Sequence, residues 1–132
     1  HRAEDANTTL ADLSGDRAAF LSGPDNQRVV TIVDLSSGAV EPVGQGRHAA
    51  LGADGYTGFV TASDYRGNMQ VYRVDVRAPS ERTQLTFLAQ GVGDALAVSG
   101  DGEFVAVSTA ERGSASLVLI DVGEAAKFDL VP

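Results

Sequence analysis

No cysteine occurs anywhere in the chain. That absence rules out disulfides, thiolate metal sites and a cysteine nucleophile. Histidine is nearly as scarce, with His1 at the start and His48 alone inside the sequence. A zinc site would then need carboxylates almost by themselves, which is an uncommon donor set, so His48 reads as a packed or solvent-facing side chain. The calcium-loop pattern D-x-[DN]-x-[DN]-G is missing. So is the nucleophile elbow G-x-S-x-G, because Gly113-Ser114-Ala115-Ser116 lacks the second glycine. No Ser/His/Asp set stands out, and Gly91-Val92-Gly93 does not match a phosphate-binding loop and reads as a linker. No catalytic constellation, metal site or cofactor is therefore expected. Apolar runs are too short to span a bilayer, and no signal-peptide pattern is present. The sequence opens on His1 rather than Met, so a preceding piece is expected to have been removed or left out. Basic side chains are outnumbered 10 to 18 by acidic ones, for a formal charge of −8. Such a chain repels phosphate backbones, which argues against nucleic acid as a partner.

What remains is a chain of 132 residues, one domain by length, with 43% hydrophobic residues, enough for a core. No segment sustains a helical period, and short alternating or β-branched runs separated by turn clusters predict an all-β fold. The clearest stretch is Ser63–Val76, a polar turn cluster followed by an alternating strand. Related patterns precede and follow it. Hydrophobic–Asp–hydrophobic occurs at Val33-Asp34-Leu35, Val74-Asp75-Val76 and Ile120-Asp121-Val122, with steps of 41 and 46 residues between the aspartates. The turn aspartates Asp16, Asp54 and Asp101 step by 38 and 47. About four short strands recurring every ~40–45 residues is the period of a propeller blade. The Asp-Gly pairs at 54–55 and 101–102 predict tight hairpins with positive φ. Asp34, Asp75 and Asp121, at strand ends, are read as turn formers that bond local backbone N–H groups. Pro42 suits an edge strand. Arg77–Ser80 reads as a break, with a closing strand over Thr83–Phe87.

Ser99-Gly100-Asp101-Gly102 with Val105-Ala106-Val107-Ser108, Ser63-Asp64-Tyr65-Arg66-Gly67 with Val71-Tyr72-Arg73-Val74-Asp75-Val76, and Leu85-Thr86 together resemble the PD40 (WD40-like) repeats of TolB-like β-propellers. The resemblance runs over nearly the whole chain in three copies. It departs from the family pattern where Gly15, Ala53 and Gly100 replace the usual proline. It implies three four-stranded antiparallel sheets within a single segment 1–132: blade 1 about 8–43, blade 2 about 48–87 and blade 3 about 94–131. Propellers close with about four to eight blades. Three blades are thus expected to be a partial propeller cut from a longer chain, or half of a six-bladed assembly closed by a homodimer through open blade edges.

The resemblance also implies which surface is used. In a propeller, the loops leading into the innermost strand share one face with the loops joining the second and third strands. The first group contains Arg47, His48 and Asp94; the second contains Asp25, Asn26, Asp64, Tyr65, Arg66, Glu111 and Arg112. The candidate binding face is Arg47, His48, Asp64, Tyr65, Arg66, Asp94 and Arg112, with Tyr65 and Arg66 foremost because Tyr and Arg are enriched in binding hot spots. The plain alternative is a solvated loop of turn-forming residues. Two functions fit. One is a non-catalytic, TolB-like scaffold for protein–protein contacts, periplasmic or extracellular by resemblance alone. The other is the propeller portion of a prolyl-oligopeptidase-type serine peptidase, gating substrate access to a catalytic domain beyond Pro132.

Overall fold

The computed structural model describes residues 8–24, 27–54, 56–109 and 117–124. Eleven strands are described in three antiparallel sheets. The first sheet holds β1 (Thr9–Ser14), β2 (Arg17–Ser22), β3 (Val29–Asp34) and β4 (Val40–Gln45) in chain order. The second holds β5 (His48–Leu51), β6 (Thr57–Ser63), β7 (Met69–Asp75) and β8 (Ala78–Gln84), again in chain order. The third holds β9 (Val92–Val98), β10 (Phe104–Thr109) and β11 (Leu117–Asp121). The closing strand expected near 127–131 lies outside the described residues. One helical turn follows β11 at 122–124. Among the described residues, no helix is long and apolar enough to cross a membrane.

Each sheet is a meander because its turns are short and chemically specified. At Gly15-Asp16 the two-residue turn places positive φ (57°) on the glycine, where no Cβ opposes it. At Ser99–Gly102 the expected positive φ falls on Gly102 alone (74°), and no described non-glycine residue adopts one. Asp101 stays in the ordinary region. It works through its carboxylate, which accepts from Ser99 Oγ (2.6 Å) and Glu103 N (3.0 Å). The strand-end aspartates behave as read. Asp34 Oδ1 accepts from Ser36 N, Ser36 Oγ and Ser37 N, Asp75 Oδ1 from Arg77 N, and Asp121 Oδ1 from Glu124 N. Pro42 sits on β4, an edge strand that among the described residues pairs only with β3, the kind of position to which strand prolines are confined.

The break expected at Arg77–Ser80 is instead the start of β8. Asp75 pairs with Ala78, and the next register position pairs Val74 with Arg82. The three residues between, Pro79 among them, form a bulge that absorbs the proline without breaking the sheet. Likewise Val92 and Gly93, read as linker, begin β9. Gly93 is required there, since a Cβ would lie 2.6 Å from Ser108 Oγ and 3.1 Å from Thr109 O.

Asp75 is the most strongly perturbed of the turn aspartates. The Arg77 guanidinium grips it through Nε (3.0 Å) and Nη2 (2.7 Å) while stacking on the Tyr56 ring, 3.8 Å from its centroid. Hydrogen bonding from the Arg77 side chain, then from its backbone N–H, lowers the Asp75 pKa from 3.8 to about 2. A depressed folded pKa means that this carboxylate stabilises the fold above the unfolded value near 3.8, and that the contribution is lost as the pH falls through about 2. A carbon-detected NMR titration of Asp75 should therefore inflect near 2; an inflection near 3.8 would show that the pair does not form in solution.

The sheets stack through two apolar layers. Ala19, Leu21, Val30, Ile32 and Val43 of the first sheet meet Ala49, Leu51, Val60 and Val74 of the second. Phe59, Val71 and Leu85 meet Val92, Val105, Val107 and Ile120 across the second interface. The second sheet is thus covered on both faces. This explains why β6 reads Gly-Phe-Val-Thr as a continuous buried run rather than an alternation. Asp12 reaches from β1 to the second sheet, its Oδ2 accepting from Leu51 N at 2.7 Å. Apolar side chains are exposed at both ends of the stack. Leu10, Leu13 and Val40 on the first sheet, and Leu117 and Leu119 on the third, are each more than half exposed.

Candidate functional site

The β2–β3 loop, the β4–β5 connection, the β6–β7 loop and the β8–β9 connection all emerge at the same end of the strands, because every sheet runs up and down in chain order. The candidate residues gather there in two clusters. The first is Arg47, His48 and Asp94. Arg47 Nη2 lies 3.7 Å and His48 Nε2 3.6 Å from Asp94 Oδ1. The Arg47 separation suits a loose ion contact, and His48 Nε2, though buried, makes no hydrogen bond among the described residues. The backbone holds this cluster in place: Arg47 N donates to Thr61 O (2.7 Å) and His48 N to Thr61 Oγ1 (3.1 Å). Gly46 permits the crossing from β4 to β5, since a Cβ there would lie 2.8 Å from Val30 Cγ2 and 3.3 Å from Val60 Cβ.

The second cluster is the Asp64–Asn68 loop. Asp64 is committed internally: Oδ1 accepts from Arg66 N (2.8 Å) and Asn68 N (3.0 Å), and Oδ2 accepts from Gln70 Nε2 (3.1 Å). Burial pushes its pKa up, but the bonds from Asn68, Gln70 and Arg66 outweigh it and hold the carboxyl below its ordinary value. Tyr65 is 89% exposed, and its hydroxyl accepts from Arg66 Nε at 3.0 Å. Asp64 thus shapes the loop, and Tyr65 and Arg66 are what it presents. Among the described residues, no hydrogen bond or ion pair joins this cluster to the first. Arg112, with Asp25, Asn26 and Glu111, lies outside the described residues.

Beneath the loop is a polar anchor that sequence reasoning missed. Gln70 is 1% exposed. Its Nε2 also donates to Leu88 O (2.8 Å), and its Oε1 accepts from Thr86 Oγ1 (2.6 Å) and Leu88 N (3.2 Å). Thr86 Oγ1 in turn accepts from Val71 N at 2.9 Å. Asn68 Nδ2 adds a bond to Ala89 O (3.1 Å), so the β6–β7 loop and the β8–β9 connection form one bonded unit.

Beside both clusters lies an open cleft of about 660 Å³ between the first two sheets, lined by residues of β4 and β8, the adjacent ends of β6 and β7, and the adjoining loops. Arg28 and Arg82, neither singled out from sequence, line it together with Arg47. The only sequence signal for Arg82 is indirect, through Gly44, which faces it across the two sheets. Gly44 has φ +104°, and a Cβ there would sit 2.9 Å from Arg82 Nη2. That vacancy lets Nη2 donate to Val43 O (3.0 Å) and Gln45 O (2.7 Å).

No protein-family model matches the chain, and no curated protein matches it in sequence. Solved structures do. TolB from Acinetobacter baumannii superposes with a TM-score of 0.71 at 19% identity, over 89% of this chain and 30% of that one. A TolB structure from Agrobacterium tumefaciens gives 0.73 at 20% identity, over 90% of this chain and 47% of that one. The tricorn protease gives 0.52 at 15% identity, over 79% of this chain and 10% of that one. The chain therefore spans less than half the length of the TolB structures it matches. At these identities the likeness is one of fold: three antiparallel sheets arranged as part of a TolB-like β-propeller.

Proposed function

We propose that this chain is a non-catalytic propeller scaffold whose loop face, led by Tyr65 and Arg66, binds a protein partner. The observation that carries the reading is the Asp64–Asn68 loop itself. An almost fully exposed tyrosine and its arginine neighbour stand on a base bonded to buried Gln70, the residue types and the support that binding hot spots use. The likeness to TolB structures supports the scaffold role, the PD40 character of the three repeats, and a location outside the cytoplasm, in the periplasm or extracellular space. Nothing in the described residues or the comparisons favours the peptidase-gating alternative.

A photoreactive amino acid placed at Tyr65 in the producing cell, with Ser36 in the opposite-end β3–β4 turn as control, tests the reading. A cross-link to another protein from position 65 and none from position 36 is expected. Equal labelling, or none at either position, would overturn it. Self-association is the accompanying proposal, supported by the apolar side chains exposed at both ends of the stack, with two copies supplying six blades. Light scattering on the chain should give a discrete dimer; a monomer or a polydisperse sample would refute that closure.

A further inference from the structure

We propose that the cleft between the first two sheets is a binding groove for an acidic, partly apolar peptide segment of a protein partner. The inference rests on the reading of this end of the molecule as a protein-binding face, and it names the chemistry of what binds. Charge is the first argument. The chain carries 18 acidic side chains and 10 basic ones, yet among the described residues the cleft presents Arg47 and Arg82 and no carboxylate, while Arg28, at its edge, turns its guanidinium to Gly23 O, Leu21 O and Thr9 Oγ1. The described charged side chains of the cleft are thus basic, where the chain as a whole is acidic. Asp94 approaches only at the mouth, 3.7 Å from Arg47 Nη2, where both side chains are well exposed.

Arg82 is the second argument. Its guanidinium is drawn into the wall of the cleft, donating to the carbonyls of Val43 and Gln45 and lying 6.0 Å from the centre of the Tyr72 ring. These partners are all neutral, and no described carboxylate pairs with it. A half-buried arginine beside neutral acceptors has donors to spare, and a carboxylate is the group whose geometry matches its fork. Burial acts in the same direction, pushing the Arg82 pKa down from its ordinary value, with Tyr72 opposing it; an incoming anion would relieve that cost. Arg47 supplies a second, exposed cation at the rim, 3.7 Å from Asp94 Oδ1.

Shape and lining select a peptide over a free anion. The cleft runs between two edge strands, β4 and β8, and its walls include Pro42, Val43, Ala62 and Met69 as well as Ser63 and Ser80. An inorganic phosphate would use the arginines and leave the apolar walls bare. An extended segment carrying both glutamates and aliphatic side chains uses both.

The test is calorimetric titration of the 132-residue chain with a blocked peptide of alternating glutamate and leucine, with its glutamine–leucine analogue, and with inorganic phosphate. The acidic peptide is expected to bind, weakening as salt rises, and the neutral analogue to bind at least tenfold more weakly. Arg82→Met is expected to weaken binding at least tenfold. Because that change also removes the bonds to Val43 and Gln45, Arg47→Met serves as the second variant: it should weaken binding several-fold with an unchanged thermal melt. Equal affinity for the neutral analogue, unchanged affinity in Arg47→Met, or phosphate competing at concentrations equal to the peptide's would overturn the proposal. A cross-link from position 65 with no peptide binding would sink the groove and leave the protein-binding face standing. Peptide binding without a cross-link would sink Tyr65 as the leading contact and leave the groove standing at that end of the molecule.

Discussion

Replacing Phe59 by alanine is expected to cost about 3–5 kcal/mol of folding stability, the range for a phenylalanine removed from a well-packed interior. Phe59 is fully buried between the second and third sheets, among Val71, Leu85, Val92, Val105 and Val107. Its cross-strand neighbours are Ala50 and Arg73. The first is too short to fill the space a ring leaves, and the second would have to bring a charge into an apolar layer, at a cost that exceeds the gain. The valines among the surrounding residues are β-branched and stiff at χ1, so little collapse into the void is expected. Urea denaturation of the two chains should show the loss as a lower midpoint at similar slope, and Phe59→Leu should recover most of it. A loss below about 1 kcal/mol would mean that the third sheet does not pack on the second as described.

Gln70→Leu is expected to cost about 3 kcal/mol, although the two side chains are close in volume. Removing the amide leaves the Leu88 N–H and C=O and the Thr86 hydroxyl short of partners beside a buried site. Each group so stranded costs on the order of 1–3 kcal/mol, partly offset by burying leucine. Asp64 also loses a donor, which should return its carboxyl toward its ordinary value. Two measurements read this together: the denaturation midpoint, and amide exchange at Arg66, Asn68 and Leu88, which should quicken by more than the global change. An unchanged midpoint would show that water replaces the amide and that the network is not structural.

The stacking of sheets was legible because blade patterning is local. Turn aspartates, β-branched runs and a period near ~40–45 residues all act within one unit. Asp34, Asp75 and Asp121 could be read as turn formers since their partners lie two or three residues away. The Gln70 anchor was not legible, because Thr86 and Leu88, which fasten it to the β8–β9 connection, are 16 and 18 residues distant and a lone glutamine in an alternating strand looks solvent-facing. Parity held a hint, as Gln70 shares its face of β7 with buried Val74. Pro79 misled for a similar reason. A proline reads as a stop, and only the register across β7 and β8 shows the bulge that accommodates it. The cleft arginines were invisible because Arg82 and Gly44 come from different sheets.

The Asp64–Asn68 loop carries a kinetic consequence. Its backbone is closed on itself by Asp64 and fastened to the β8–β9 connection through Gln70 and Asn68. A partner binding at Tyr65, as proposed, would meet a loop whose backbone is already fixed and would pay little entropy to order it. Encounter should behave as the docking of rigid surfaces, with differences in affinity among partners expressed in how long they stay rather than in how fast they arrive.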